Sequence, residues 1–105
     1  MQNYTFRLSP AQDLFDSIQA FVMKKHVQAG CVLSGVGSLR HASLRLADQA
    51  QNSEYSGPFE IVSITGTLSI HGSHLHISIA DGDGRTIGGH FDVCTRIVSK
   101  QLFTD

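Results

Sequence analysis

The chain of 105 residues holds six histidines, and three of them fall where they could act together. In Gly72-Ser73-His74-Leu75-His76-Ile77-Ser78-Ile79, the aliphatic Leu75, Ile77 and Ile79 alternate with His74, His76 and Ser78. As a strand, this segment puts its aliphatic side chains on one face and both imidazoles on the other. Side chains two apart on one face stand roughly 6.5–7 Å apart along the strand, near enough for both rings to lean onto one ion. Histidine is the commonest side-chain ligand for metals such as zinc, and a third one completes the three protein ligands of an open site. His90, preceded by Gly88-Gly89, is that third.

The histidines meet only if the chain reverses between them. Asp81-Gly82-Asp83-Gly84 supplies the reversal, because glycine after aspartate readily takes the positive φ angles of hairpin turns. With Arg85–His90 running antiparallel to Leu75–Ala80, His90 lies opposite the start of the first strand, where His74 and His76 stand. Gly88 and Gly89 remove side chains that would crowd an ion or a neighbouring chain. A solvent-facing strand explains His, Ser, His equally well, and His71 adds to the local histidine content. The residue pattern alone therefore leaves a metal site and a polar face both open.

Other elements must hold this hairpin. Tyr4, Phe6 and Leu8 alternate with Thr5 and Arg7 and predict a first strand. Ser9-Pro10-Ala11-Gln12 has the pattern of a helix entrance, with Ser9 as cap, Pro10 at the first position and Gln12 reaching back. Leu14, Phe15, Ile18, Phe21 and Val22 share one helical face, which is core rather than a cofactor box, and Lys24 and Lys25 suit the C-terminal end. Gly30 closes the helical unit, and Cys31-Val32-Leu33 predicts a short buried strand. Ser34-Gly35-Val36-Gly37-Ser38 lacks the lysine and third glycine of a phosphate loop, so a tight bend is expected. Ala42, Leu44 and Leu46 alternate with Ser43 and Arg45 in a further strand, with His41 at the surface. Asp48 to Gly57 has no apolar periodicity and predicts a loop, the least ordered internal stretch. Phe59 to Ile70 predicts one long strand with a bulge, or two short ones, carrying Glu60 as an exposed rung. After His90 the alternation weakens.

Composition bounds the function. One domain over 1–105 fits the length, at a size where a partner subunit often completes burial. A hydrophobic fraction of 41% without a long apolar run predicts a soluble chain with no membrane span. The Met1-Gln2-Asn3-Tyr4 start has no signal-peptide pattern, so a cytoplasmic location is expected. Cys31 and Cys94 have no CxxC spacing and are expected to be small buried residues. Eight basic against nine acidic residues give a net charge of −1, which argues against a chain that grips nucleic acid by charge alone.

Four segments in order, Ser34–Ser38, Gly57-Pro58-Phe59-Glu60-Ile61-Val62-Ser63-Ile64-Thr65-Gly66, Gly72-Ser73-His74-Leu75-His76-Ile77 and Gly88-Gly89-His90, resemble the PPC domain, named for plants and prokaryotes. The resemblance runs from about Phe6 to His90. It implies an α+β fold, mainly an antiparallel sheet of about six or seven strands packed with one or two helices, assembled as a homotrimer. It also implies a metal, zinc, held by His74, His76 and His90. Residues 91–105 fit the family pattern poorly and are expected to be a shortened or divergent end. In plant members the domain follows AT-hooks, Arg-Gly-Arg-Pro segments that enter the minor groove; the 105 residues contain none. Plant members also carry an Arg at the position of Pro58, in a segment implicated in partner assembly.

Three functions follow from the residues and the resemblance. The first is a non-catalytic assembly and regulatory module, a trimer whose histidine cluster holds structure or senses a small-molecule ligand. The second is a small zinc enzyme, with a metal-bound water in the fourth position and Asp81, Asp83 or Glu60 as the acid or base. A cupin-like oxygenase is set aside, because no Glu lies between His76 and His90. The third is DNA binding by the bare domain, with a trimer gathering Arg40 and Arg45 into one patch.

Overall fold

The computed structural model describes residues 2–92 and the backbone of 96–97 and 103–104. Among the described residues, nine strands and one helix follow in the order β1 (Phe6–Arg7), α1 (Leu14–Lys25), β2 (Gly30–Cys31), β3 (Gly35–Val36), β4 (Ser38–Arg45), β5 (Ser53–Leu68), β6 (His74–Ala80), β7 (Thr86–Phe91), β8 (Arg96–Ile97) and β9 (Phe103–Thr104). All pairings are antiparallel, and the fold is α+β as expected.

Strand β5 organises the sheet by changing partners along its length. Its first part pairs with β4, from Leu44↔Ser53 to Ser38↔Glu60, and its second with β6, from Glu60↔Ala80 to Thr67↔His74. Because β6 pairs with β7 and β7 returns to β4, the four strands close on one another and leave few free edges. The bulge expected in this strand is a register shift between Ile61 and Ser63. A second sheet of three short strands, β1-β9-β3, lies outside the ring.

Alternation sets the core. Leu75, Ile77 and Ile79 of β6 are buried together with Leu44, Ala42 and Leu39 of β4, Phe59, Ile61 and Ile64 of β5, and Phe91 of β7. Leu14, Ile18 and Val22 of α1 join the same cluster, and Phe15 meets Phe91 edge to face at 6.3 Å between ring centroids. The helical face predicted from spacing is the face that packs.

The start of the helix differs from the expectation. Ser9 and Gln12 close a turn, with the Ser9 N–H donating to Gln12 Oε1 at 2.5 Å, and Ala11 takes a φ of 71°, which no helix continues. Asp13 is the cap instead, its carboxylate accepting the Asp16 N–H at 2.9 Å. The helix ends at His26, whose left-handed φ of 56° lets its N–H reach the Met23 carbonyl, so Gly30 is a strand residue rather than the closing one.

Three further expectations are corrected. Of the Cys31–Leu33 run only Cys31 is strand, paired after Gly30 in β2; Cys31 is exposed, and Leu33 is 60% exposed. The loop predicted from Asp48 to Gly57 ends at Ser53, because polar residues there pair with β4: Glu54 is held by His41 and Ser43, so the strand needs no apolar alternation. The 34–38 bend contains the short strand β3. Glu60 is exposed, as expected. Cys94 lies outside the described residues. No helix among them is long and apolar enough to cross a membrane.

Candidate metal centre

The hairpin forms as its sequence dictates. Asp81 Oδ1 accepts the N–H groups of Asp83 and Arg85, each at 2.9 Å, which folds the turn over its own first residue. Pairing then runs from Ala80↔Thr86 to Leu75↔Phe91 and sets His76 directly opposite His90. Directly paired residues point to the same face, so His90 joins His74 and His76 on the side away from Leu75 and Phe91.

One nitrogen from each of the three imidazoles can be chosen so that all lie within 4.8 Å of one another. The rings of His74 and His90 stand 4.7 Å apart between centroids and those of His76 and His90 5.5 Å, both steeply inclined; His74 and His76 stack at 5.5 Å. A tetrahedral zinc with Zn–N bonds of 2.0–2.1 Å sets its nitrogens about 3.3 Å apart, so a modest rotation of the rings closes the set. His90 Nδ1 is buried and is the one such side-chain atom without a hydrogen-bond partner among the described residues. An unpaired buried imidazole nitrogen is costly, and a metal bond or an ordered water relieves it. Burial holds the His90 imidazole below its ordinary pKa; Arg45, His74 and His76 push it the same way, and Asp92 opposes them. A lowered value keeps the ring neutral, the form that ligates. The donor set and the orphaned nitrogen both fit a divalent metal.

The strands around the hairpin place the rest of the site. Thr65 and Thr67 of β5 stand opposite His76 and His74, and Arg45 of β4 stands opposite His90. Gly88 and Gly89 serve strand packing: a Cβ on Gly88 would lie 2.9 Å from the Ile77 carbonyl oxygen, and one on Gly89 2.9 Å from that of Arg45. The acidic residues proposed for a catalytic water are elsewhere. Asp81 and Asp83 occupy the turn, and Glu60 pairs with Ala80, four residues or about 13 Å along β6 from His76. Asp92, two residues after His90, is the carboxylate whose charge acts on the site, and the alternation His90-Phe91-Asp92, which puts Asp92 on the face of His90, is the signal for it in the sequence.

Next to the site, Asn52 Nδ2 bridges Asp92 at 3.4 Å and Ser43 Oγ at 3.0 Å, and Ser43 donates to Glu54 Oε2 at 2.6 Å. His41 Nε2 lies 2.7 Å from Glu54 Oε1, so His41 is tied down rather than a loose surface residue. The Ser43 and His41 hydrogen bonds lower the Glu54 pKa from 4.5, against the opposing effect of desolvation. A carboxylate with a depressed folded pKa adds stability above its unfolded pKa and loses it as pH falls through the folded value. The stability advantage of the wild type over Glu54→Gln should therefore shrink as pH is lowered from 7 through 4.5 and below. Melting temperatures of both proteins across that range check it; a difference that does not change with pH contradicts it.

Residues 1–100 match the family model of the Plants and Prokaryotes Conserved (PCC) domain. The chain belongs to this family. Among curated proteins it is 48% identical over 87 residues to the bifunctional protein GlmU of Synechococcus sp. (strain JA-3-3Ab), covering 83% of this chain but 14% of that protein. It is 32% identical over 88 residues to AT-hook motif nuclear-localized protein 14 of Arabidopsis thaliana, covering 78% of this chain and 21% of that one. The chain thus spans a small part of these relatives. Among solved structures, a hypothetical protein from Salmonella cholerae-suis superimposes with a TM-score of 0.90 at 32% identity, over 97% of this chain and 75% of the other. The metal-containing protein AF0104 from Archaeoglobus fulgidus gives 0.76 at 24% identity, over 96% and 76%. These likenesses bear out the α+β fold of a PCC domain.

Proposed function

We propose that this PCC domain is a non-catalytic, metal-centred assembly and regulatory module, in which His74, His76 and His90 hold one zinc ion and the chain forms a homotrimer. The observation that carries the metal is the convergence of three imidazoles on one face, with the buried His90 Nδ1 lacking a hydrogen-bond partner among the described residues. The metal-containing relative from Archaeoglobus fulgidus supports it. A zinc ion bound there would hold a fourth, oxygen-donor ligand and draw electron density from it. Regulation rather than catalysis follows from the surroundings, since Asp81, Asp83 and Glu60 are remote from the histidines and Asp92 is already engaged by Asn52. Trimer formation draws support from Leu33, Val36 and Val62, each more than half exposed, which a partner subunit would cover.

The test is a zinc titration of chelator-treated protein against a chromophoric competitor, with mass in solution recorded alongside. One tightly held zinc per chain is expected; no binding above that of a histidine-free control protein overturns the metal reading. DNA is the second reading. Arg40 and Arg45 are exposed on β4, and one relative is an AT-hook protein. Duplex binding at low salt that fades steeply as salt rises would mark it, while a net charge of −1 weighs against it.

A further inference from the structure

We infer that the histidine centre and Arg45 together form a binding site for a small oxyanion, a carboxylate or phosphate group that places one oxygen toward the metal and another on the guanidinium. The inference rests on the zinc reading above and adds the ligand's chemical class and the residue that selects it.

Register puts the guanidinium at the site. Arg45 pairs with His90, and His90 with His76, so the three residues form one cross-strand row on the outer face. Directly opposed side chains have Cβ atoms about 4.5–5.5 Å apart, and arginine is long enough to reach over its neighbour. Arg45 is close enough to be the largest charge acting on the His90 imidazole. It is exposed and has no hydrogen-bond or ion-pair partner among the described residues, whereas Asp92 is held by Asn52. The cation is therefore available to a ligand.

Charge then fixes the class. Three neutral imidazoles leave a divalent ion with its full charge; Arg45 adds one positive charge and Asp92 cancels one. A net excess of positive charge remains, which a neutral ligand leaves uncompensated and an anion reduces. The guanidinium presents paired N–H donors in a plane, which match two oxygens on one carbon or phosphorus atom. Thr65 and Thr67, exposed opposite His76 and His74, offer hydroxyl donors on the same face, and Gly88, two residues before His90 on β7, carries no side chain to obstruct entry.

The experiment uses cobalt-loaded protein, whose visible spectrum reports ligand exchange at the metal, titrated with inorganic phosphate. The wild type should show a saturable spectral change. Arg45→Ala should keep its full cobalt content and weaken phosphate by about 10- to 100-fold, the loss of a charge-assisted bidentate contact. Arg45→Lys should fall between, because it keeps the charge and loses the fork. Acetate run in parallel distinguishes a carboxylate from a phosphate preference. Equal phosphate affinity in wild type and Arg45→Ala, or a wild-type spectrum that ignores both anions, overturns the inference while leaving the metal centre standing. Failure to take up cobalt or zinc overturns the zinc reading and the oxyanion site with it.

Discussion

Replacing His74 and His76 together with alanine should abolish the proposed zinc binding at micromolar protein and leave the fold intact. Structural zinc sites bind with about 10–16 kcal/mol, roughly 3–4 kcal/mol for each of four ligands, so each lost imidazole weakens binding by about 10²- to 10³-fold. Two together lower affinity by about 10⁴-fold or more. The fold should survive because both rings are exposed on the outer face, and Leu75 between them carries the packing. Far-ultraviolet circular dichroism and melting temperature verify the fold, and the competitor titration reads the affinity. A variant that keeps wild-type zinc affinity would show that these rings are a polar face. His90→Ala is a less clean variant, because His90 is half-buried and its loss also removes the orphaned nitrogen from the sheet.

The second large effect lies at Gly66, across the sheet from the histidine strand. Gly66 pairs with Leu75 and takes a φ of 148°, a backbone that side-chain-bearing residues rarely adopt. A Cβ there would fall on the His74 carbonyl oxygen and stand 2.9 Å from Leu75 Cα. Neither atom can step aside without moving the β6 backbone. Gly66→Ala should therefore cost about 3–5 kcal/mol, combining backbone strain with overpacking, and should loosen His74 with the strand that carries it. Chemical denaturation measures the first part and zinc affinity of the folded fraction the second. A change below about 1 kcal/mol would mean that β5 and β6 shift apart freely and that the histidine strand is less firmly placed than its register indicates.

The histidine strand was legible in the chain itself. Strict alternation around Leu75 and His76 and the Asp-Gly turn were enough to place His90 opposite the start of the strand that carries His74 and His76, because both signals are local; the pairing of His90 with His76 itself is set by the register of β6 and β7. The helical face was equally legible. Signals that depend on distant pairing were not. The Ser53–Gly57 segment gains its strand from Glu54 bonding to His41 and Ser43 across β4, an arrangement with no apolar pattern to announce it. Asp13 captured the helix cap because Ala11 turns the preceding residues out of helical geometry, which the Ser-Pro pattern concealed. Arg45 became part of the site only once β4 and β7 were side by side, and the exposed Cys31 shows that a two-residue strand at the end of a sheet need not bury its side chains.

Zinc K-edge X-ray absorption on the zinc-loaded protein tests the central claim most directly. The account predicts a four-coordinate shell with three imidazole nitrogens at about 2.0–2.1 Å, shown by the outer-shell scattering of the rings, and one further light atom. An all-oxygen six-coordinate shell, or one without imidazole scattering, would contradict a zinc centre built on His74, His76 and His90.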